Sequence, residues 1–269
     1  MSTNKYSLNS QNHAVARSAG VISLATLASR ILGFIRDIVI ARLFGVYVYA
    51  QAFVIAFRIP NLFRDLVGEG ASNAAIVPVL SEYNLKRSKE EFWELANLLL
   101  NLLVVALSVI TILGIIFSPL IVRLIAPGFI ASPDKLQATI NLNRIIFPYI
   151  LLIGLAAYAM AVLNSLKNFT VSAFAPCLLN ISIIICALLL GEGTKGLATG
   201  VLLGGILQLA VQVPILYKKG LRPKIAFCFK HPGLIQIRKL MLPRLASSSI
   251  YQLNNFVDSI FGSLAAVVG

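Results

Sequence analysis

Acid is in short supply in this sequence. Its 269 residues hold 10 Asp and Glu against 23 Lys and Arg, a formal net charge of +13, and charged residues of either sign make up only 12% of the chain. A soluble domain carries about 25%. Histidine is scarcer still: His13 and His231 lie far apart, and the three cysteines, Cys177, Cys186 and Cys228, show no CxxC spacing. These shortages exclude a clustered metal centre and a disulfide framework. Cys177 and Cys186 fall inside an apolar span, where a free thiol acts as a small core residue. No HExxH motif, Walker loop or nucleophile–base pair is present, so no catalytic residue, metal or cofactor is expected and the chain does not read as an enzyme.

Apolar residues fill the remainder, at 58% of the chain with a mean hydropathy of +0.86. That composition implies an all-α, polytopic membrane protein. Nucleic acid is not the partner implied by the positive charge, because the basic residues sit in short loops between apolar runs or inside the runs themselves. In the loops they act as topogenic signals.

A spanning helix needs about 20 apolar residues, and seven stretches qualify or nearly do. They run from about Ala19 to Phe44, Val46 to Val67 with a kink expected at Pro60, and Ala96 to Leu120. Ile145 to Leu166, Phe169 to Leu190, Gly196 to Tyr217 and Leu240 to Val268 follow. GEGASN after the second reads as a helix break, and AAIVPVLSEY as a short continuation towards a polar loop. Gly204 and Gly205 read as a close helix-packing point. Residues 1–18 are expected to be a polar cytoplasmic segment, disordered or interfacial, and not a removable signal peptide. Residues 19–217 then form a six-helix lobe, 218–239 a basic cytoplasmic linker, and 240–269 a seventh helix. Lys5, Arg17, Lys86, Arg87, Lys89, Lys167 and the basic run from Lys218 to Lys239 fall on one side of this arrangement, which predicts a cytoplasmic amino terminus. The same run is suited to anionic headgroups.

The first two spans carry internal charge: Arg30, Arg36, Asp37, Arg42, Arg58, Arg64, Asp65 and Glu69. Charge within a membrane normally faces a protein interior or a water-filled cavity. Arg30 and Asp37, seven apart, share nearly one helix face, with Arg36 and Arg42 projecting elsewhere. Arg58, Asp65 and Glu69 share a face of the second span if Pro60 does not rotate them apart. Arg42, at a helix end before LFG, reads as a snorkelling anchor. Arginines left over by the carboxylates suit a diphosphate, since the planar fork binds phosphate oxygens bidentately and stays charged at neutral pH.

SRILGFIRD, ARLFG, AFRIPNLFRDL, GEGA and VPVLSEY, in that order and spacing, resemble the amino-terminal signature of the bacterial lipid II flippases, the MurJ or MviN family. FPYILLIGLAAYAMAVLNS and FAPCLLNIS match further on. The resemblance runs from about Ser23 to the last residue. It implies a two-lobe exporter fold of which this sequence supplies the first lobe and one further helix, apparently truncated, in the bacterial inner membrane. The implied activity is flipping of lipid II for peptidoglycan biosynthesis by alternating access. The family's substrate-contacting arginines match Arg30, Arg36 and Arg64, with Asp37, Arg58, Asp65 and Glu69 as the supporting charged network. One position departs: Gln51 stands where the family often has aspartate. Implied partners are lipid II, membrane lipids, and a second lobe, a second copy or cell-wall synthesis proteins. Two other readings stay open. One is a different polysaccharide or drug exporter of the same superfamily, which the arginine-dominated interior disfavours for a cationic drug. The other is a fragment or scaffolding half-transporter without independent activity.

Overall fold

A computed structural model describes residues 3–44, 48–64, 74–190, 194–226, 228 and 230–268 of the chain. Asp65, Glu69 and the break GEGASN lie outside the described residues. The elements are α1 (Thr3–Phe44), α2 (Val48–Phe63), α3 (Val77–Lys86), α4 (Lys89–Ile116), α5 (Ser118–Ile125), a 3-10 turn (Pro127–Ala131), α6 (Pro133–Ile146), α7 (Tyr149–Ser165), α8 (Thr170–Leu190), α9 (Thr194–Lys219) and α10 (Pro232–Val268). Among the described residues there is no strand, so the all-α expectation holds. Among the described residues, four stretches are both long and apolar enough to cross a membrane: Lys89–Ile116, Pro133–Ser165, Thr170–Leu190 and Lys195–Lys219. α1 and α10, with 42 and 37 residues, are longer than any of these and carry the internal charges and the Ser/Gln/Asn-rich stretch.

Local chemistry sets the helix ends. Ser88 caps α4: its Oγ accepts the Glu91 backbone N–H at 3.2 Å, and Glu90 and Glu91 meet the positive end of the helix dipole. α5 and α6 start with Pro119 and Pro133, which need no amide partner in the first turn. α9 stops at Gly220, whose φ is +117°. The Leu221 N–H reaches back to the Leu216 carbonyl at 3.0 Å and the Gly220 N–H to Tyr217 at 3.2 Å, the paired bonds of a left-handed C-terminal stop. α7 stops in the same way with Lys167 at φ 57° and the Asn168 N–H on the Leu163 carbonyl at 2.9 Å.

Side-chain contacts give the helix directions. Cys177 Sγ lies 3.8 Å from the Ala25 carbonyl and Asn180 Nδ2 donates to the Ser29 carbonyl at 3.1 Å, so α1 and α8 run parallel. Lys135 donates to Gln51 at 2.6 Å and Asn143 to the Ala56 carbonyl at 3.2 Å, so α2 and α6 also run parallel. α4 is antiparallel to α7, because Tyr158 donates to the Ala96 carbonyl at 3.0 Å while Gly154 packs on Leu107. α8 and α9 are antiparallel: Gly204 packs on Leu179 and Gly200 on Ile183. The first and fifth spans therefore run parallel to each other and antiparallel to the sixth, and the second and fourth run parallel to each other and antiparallel to the third.

The glycines of α9 explain its closeness to α8. A Cβ on Gly200 would sit 2.7 Å from Ile183 Cα, and one on Gly204 would sit 2.8 Å from Leu179 Cα. Only hydrogen fits there, which lets the two backbones touch in the manner of small-residue membrane packing. Gly205 instead faces Tyr149 and Leu152 of α7. The adjacent pair thus serves two different neighbours.

Several boundaries differ from the sequence reading: α4 begins at Lys89, not Ala96, and ends at Ile116, not Leu120. α1 begins at Thr3, so the polar amino-terminal stretch is helical and continuous with the first span. The fourth span starts at Pro133, not Ile145, because Thr139, Ile140, Leu142, Asn143 and Ile146 of the polar-looking segment are buried. α10 starts at Pro232, eight residues before the apolar run begins at Leu240, with Gly233 packed against Leu95 and Tyr83.

Candidate functional site

One charged residue of α1, Arg36, is held by α8. Arg36 Nε and Nη2 donate to Asp37 Oδ1 at 3.0 and 2.8 Å. Its Nη1 donates to Asn180 Oδ1 at 2.9 Å. The Arg36 side chain is 18% exposed and that of Asp37 64%, while Asn180 is 4% exposed. Asn180 also donates to the Ser29 carbonyl, and Gly33 of α1 faces it without a side chain of its own, its would-be Cβ 3.8 Å from Asn180 Nδ2. One amide on α8 thus grips the α1 backbone with its nitrogen and the Arg36 guanidinium with its oxygen.

This pairing differs from the helical-wheel expectation. Arg30 and Asp37 share a face, yet Asp37 pairs with its chain neighbour Arg36. Arg30 is exposed and among the described residues has no hydrogen-bond or ion-pair partner. A guanidinium carries five N–H donors. Arg36 spends three of them on Asp37 and Asn180, leaving two, one on each terminal nitrogen.

Arg58 and Arg64 lie half-buried on α2 and at its end, and neither is without a partner. Arg42 is exposed in the last turn of α1. Asp65 and Glu69, expected to support these arginines, lie outside the described residues. Gln51, at the start of α2, is also engaged: Lys135 donates to its Oε1 and lies 4.9 Å from the Phe129 ring centroid. A neutral amide there accepts from a cation, a contact that a carboxylate would make as an ion pair.

Sequence reasoning missed Asn180 and Asn143. Asn143, fully buried, accepts from Ser118 Oγ at 2.9 Å and donates to the Ala56 carbonyl, tying α6 to α5 and α2. The available signal was an isolated amide in an apolar run, as in CLLNIS. Polar residues inside spans pair with one another or with backbone.

Exposed cations gather at the end of the bundle formed by the α3–α4 turn, the α7–α8 turn and the end of α9: Lys86, Arg87, Lys89, Lys167, Lys218, Lys219 and Arg222. A cleft of about 240 Å³ opens there between Val21 of α1, the turn from Leu166 to Thr170, and Lys219. At this end Glu82 accepts from Lys86 at 3.0 Å and from Gln236 of α10 at 3.4 Å. Those two hydrogen bonds, that of Lys86 first, hold its carboxyl below the usual glutamate range.

A family model described as "Lipid II flippase MurJ" matches residues 40–269. A probable lipid II flippase MurJ of Buchnera aphidicola subsp. Acyrthosiphon pisum (strain APS) is 40% identical over 247 residues, 90% of this chain and 48% of that one. A probable lipid II flippase MurJ of Vibrio cholerae serotype O1 is 36% identical over 258 residues, covering 92% and 49%. A lipid II flippase MurJ of Burkholderia cenocepacia is 35% identical over 255 residues, with the same coverages. Among solved structures, "Lipid II flippase MurJ, inward closed conformation" matches with a TM-score of 0.75 and 32% identity over 90% of this chain and 50% of that one. The chain spans about half the length of the relatives it matches. Its apolar helices and these relatives make it a multi-pass inner-membrane protein, and it belongs to the lipid II flippase MurJ family.

Proposed function

We infer that the chain supplies the first half of a lipid II flippase, in which α1 and α2 form one wall of a polar cavity for the diphosphate and headgroup. The observation that carries this reading is the Arg36 clamp. A guanidinium is held in an apolar helix pair by Asp37 and Asn180, with two N–H donors left over. Those donors suit two oxygens of a diphosphate, and the fixed geometry lowers the ordering cost of binding. Arg30, exposed and without a protein partner among the described residues, adds a second cation about one and two-thirds turns earlier. Arg64 supplies a third from α2, supported by Arg58, Asp65 and Glu69. The polyprenyl tail stays in lipid while the headgroup crosses between two rocking lobes. The basic end of the bundle faces the cytoplasm, and the amino terminus lies on that side.

The test is binding of undecaprenyl diphosphate, and of lipid II, to the purified chain carrying Arg30→Ala, Arg36→Ala or Arg64→Ala. Each loss of a charge-assisted contact weakens binding by about 1.5–3 kcal/mol. Lysine substitutes poorly for Arg36, since a point charge cannot reproduce the fork. Normal binding by all three alanine variants would overturn the assignment.

A further inference from the structure

After α9, residues 221–226 lie outside helical structure and form a strap along α4. Two asparagines one turn apart hold it there. Asn101 Nδ2 donates to the carbonyls of Lys224 and Ala226, at 2.7 and 2.9 Å. Asn97 Oδ1 accepts the Lys224 N–H at 3.2 Å, and Trp93, one turn earlier, packs over Gly220. These contacts do not lie at the polar end of α4. Its last charge is Glu94, and no further charge occurs before Arg123. At 1.5 Å per residue, Asn97 and Asn101 stand about 5 and 10 Å past that charge, beside the apolar body of the helix.

Non-helical backbone at that level needs partners for its amides and carbonyls, because lipid offers none. The two asparagines supply them for Lys224 and Ala226. The strap's side chains are disposed for the same setting. Ile225 is 90% exposed, Ala226 and Cys228 are exposed, and Lys224 and Lys230 bracket them, also exposed. The sequence between the two lysines is Ile-Ala-Phe-Cys-Phe, and the chain carries no carboxylate of its own between Glu192 and Asp258. An exposed isoleucine beside lysines is wasteful in water and favourable at the boundary of headgroups and acyl chains.

We propose that the strap around Ile225 and Cys228 is a membrane-interfacial loop. It inserts its apolar segment into the leaflet at the basic end of the bundle, and Lys224 and Lys230 hold anionic phospholipid headgroups. Asn97 and Asn101 are the positioning residues that let it lie at this depth. The proposal rests on the bundle being in a membrane and not on which substrate it carries.

Cys228 makes the test direct, because Cys177 and Cys186 are buried and Cys228 is exposed. The full chain is labelled at Cys228 with bimane and reconstituted into vesicles of phosphatidylglycerol and phosphatidylcholine, or of phosphatidylcholine alone. The expected result is quenching by lipids brominated near the carbonyl end of the acyl chain, little quenching by aqueous iodide, and stronger acyl quenching with phosphatidylglycerol present. Changing both Lys224→Gln and Lys230→Gln removes the advantage of the anionic lipid, shifting the inserted-to-exposed ratio on the order of tenfold. Asn101→Ala raises iodide access with helicity by circular dichroism unchanged. Free access of iodide in the unmutated chain would overturn the proposal, as would a fluorophore shielded from both quenchers, which would place the strap against protein. Equal acyl quenching in the two kinds of vesicle would overturn the role of the lysines.

Discussion

Arg36 and Asn180, 144 residues apart in sequence, meet at 2.9 Å between Nη1 and Oδ1. The same amide holds the Ser29 carbonyl, so the position of Arg36 along α1 is set by α8 and not by α1 alone. If Arg36 binds diphosphate as proposed, Asn180 acts on it only through Arg36. Asn180→Leu is expected to weaken undecaprenyl diphosphate binding by about 1 kcal/mol, less than Arg36→Ala. In a double-mutant cycle, Arg36→Ala with Asn180→Leu binds no worse than Arg36→Ala alone. Additive losses would show that Asn180 touches the substrate independently.

The α8–α9 contact that keeps Asn180 in place is made by glycine. Gly200→Val and Gly204→Val push a methyl-bearing carbon into the backbone of Ile183 and Leu179, which no rotamer change relieves. Each is expected to cost at least about 1–3 kcal/mol, measured by unfolding in mixed micelles. Gly262→Val is the control, since nothing lies within 4 Å of its would-be Cβ. Gly204→Val should also weaken diphosphate binding, because Leu179 precedes Asn180 on the displaced helix. A stable, tightly packed Gly204→Val variant would overturn this account.

How much of this was legible beforehand follows the physics of each segment. The fifth and sixth spans were read to within two residues because they are uniform apolar runs ended by turns or charges. The fourth was read twelve residues short. PDKLQATINLNR looks polar, but Thr139 and Asn143 are buried through hydrogen bonds to backbone and to Ser118, which no window of local hydropathy registers. The charged character of α1 was plain in the sequence, and so was the family resemblance. The pairing was not: a helical wheel ranks partners by face and ignores the reach of an arginine. Asn180 is one polar letter in an apolar span, and its meaning depends on α1 lying beside it.

The orientation is testable by cysteine accessibility. In a Cys228→Ser background, Ser88→Cys at the α3–α4 turn and Ser132→Cys before α6 sit at opposite ends of the bundle. With the basic end cytoplasmic, a membrane-impermeant maleimide added to intact cells labels Ser132→Cys and spares Ser88→Cys. Labelling of Ser88→Cys from outside would reverse the topology.

The final expectation concerns what these residues do unaided. Alternating access needs two bundles that rock about a midplane site. Here α1 presents Arg30, Asp37 and Arg42 on exposed positions, beside exposed Leu27, Ile31, Phe34 and Ile38. Charges facing lipid at that depth are costly, by several kcal/mol for an uncompensated group, so this face calls for a covering partner. A second lobe meets that need, and so does a second copy, although antiparallel self-pairing works against the charge bias between the two ends. The 269 residues alone are therefore expected to bind lipid-linked diphosphate weakly and not to move it. Reconstitution with fluorescent lipid II, followed by reduction of the label from outside, reads translocation directly. The half-chain should match protein-free vesicles, and co-reconstitution with the second half of a relative should restore transfer. Robust translocation by a demonstrated monomer would mean that one lobe can gate both sides of the membrane, and would refute the two-lobe requirement.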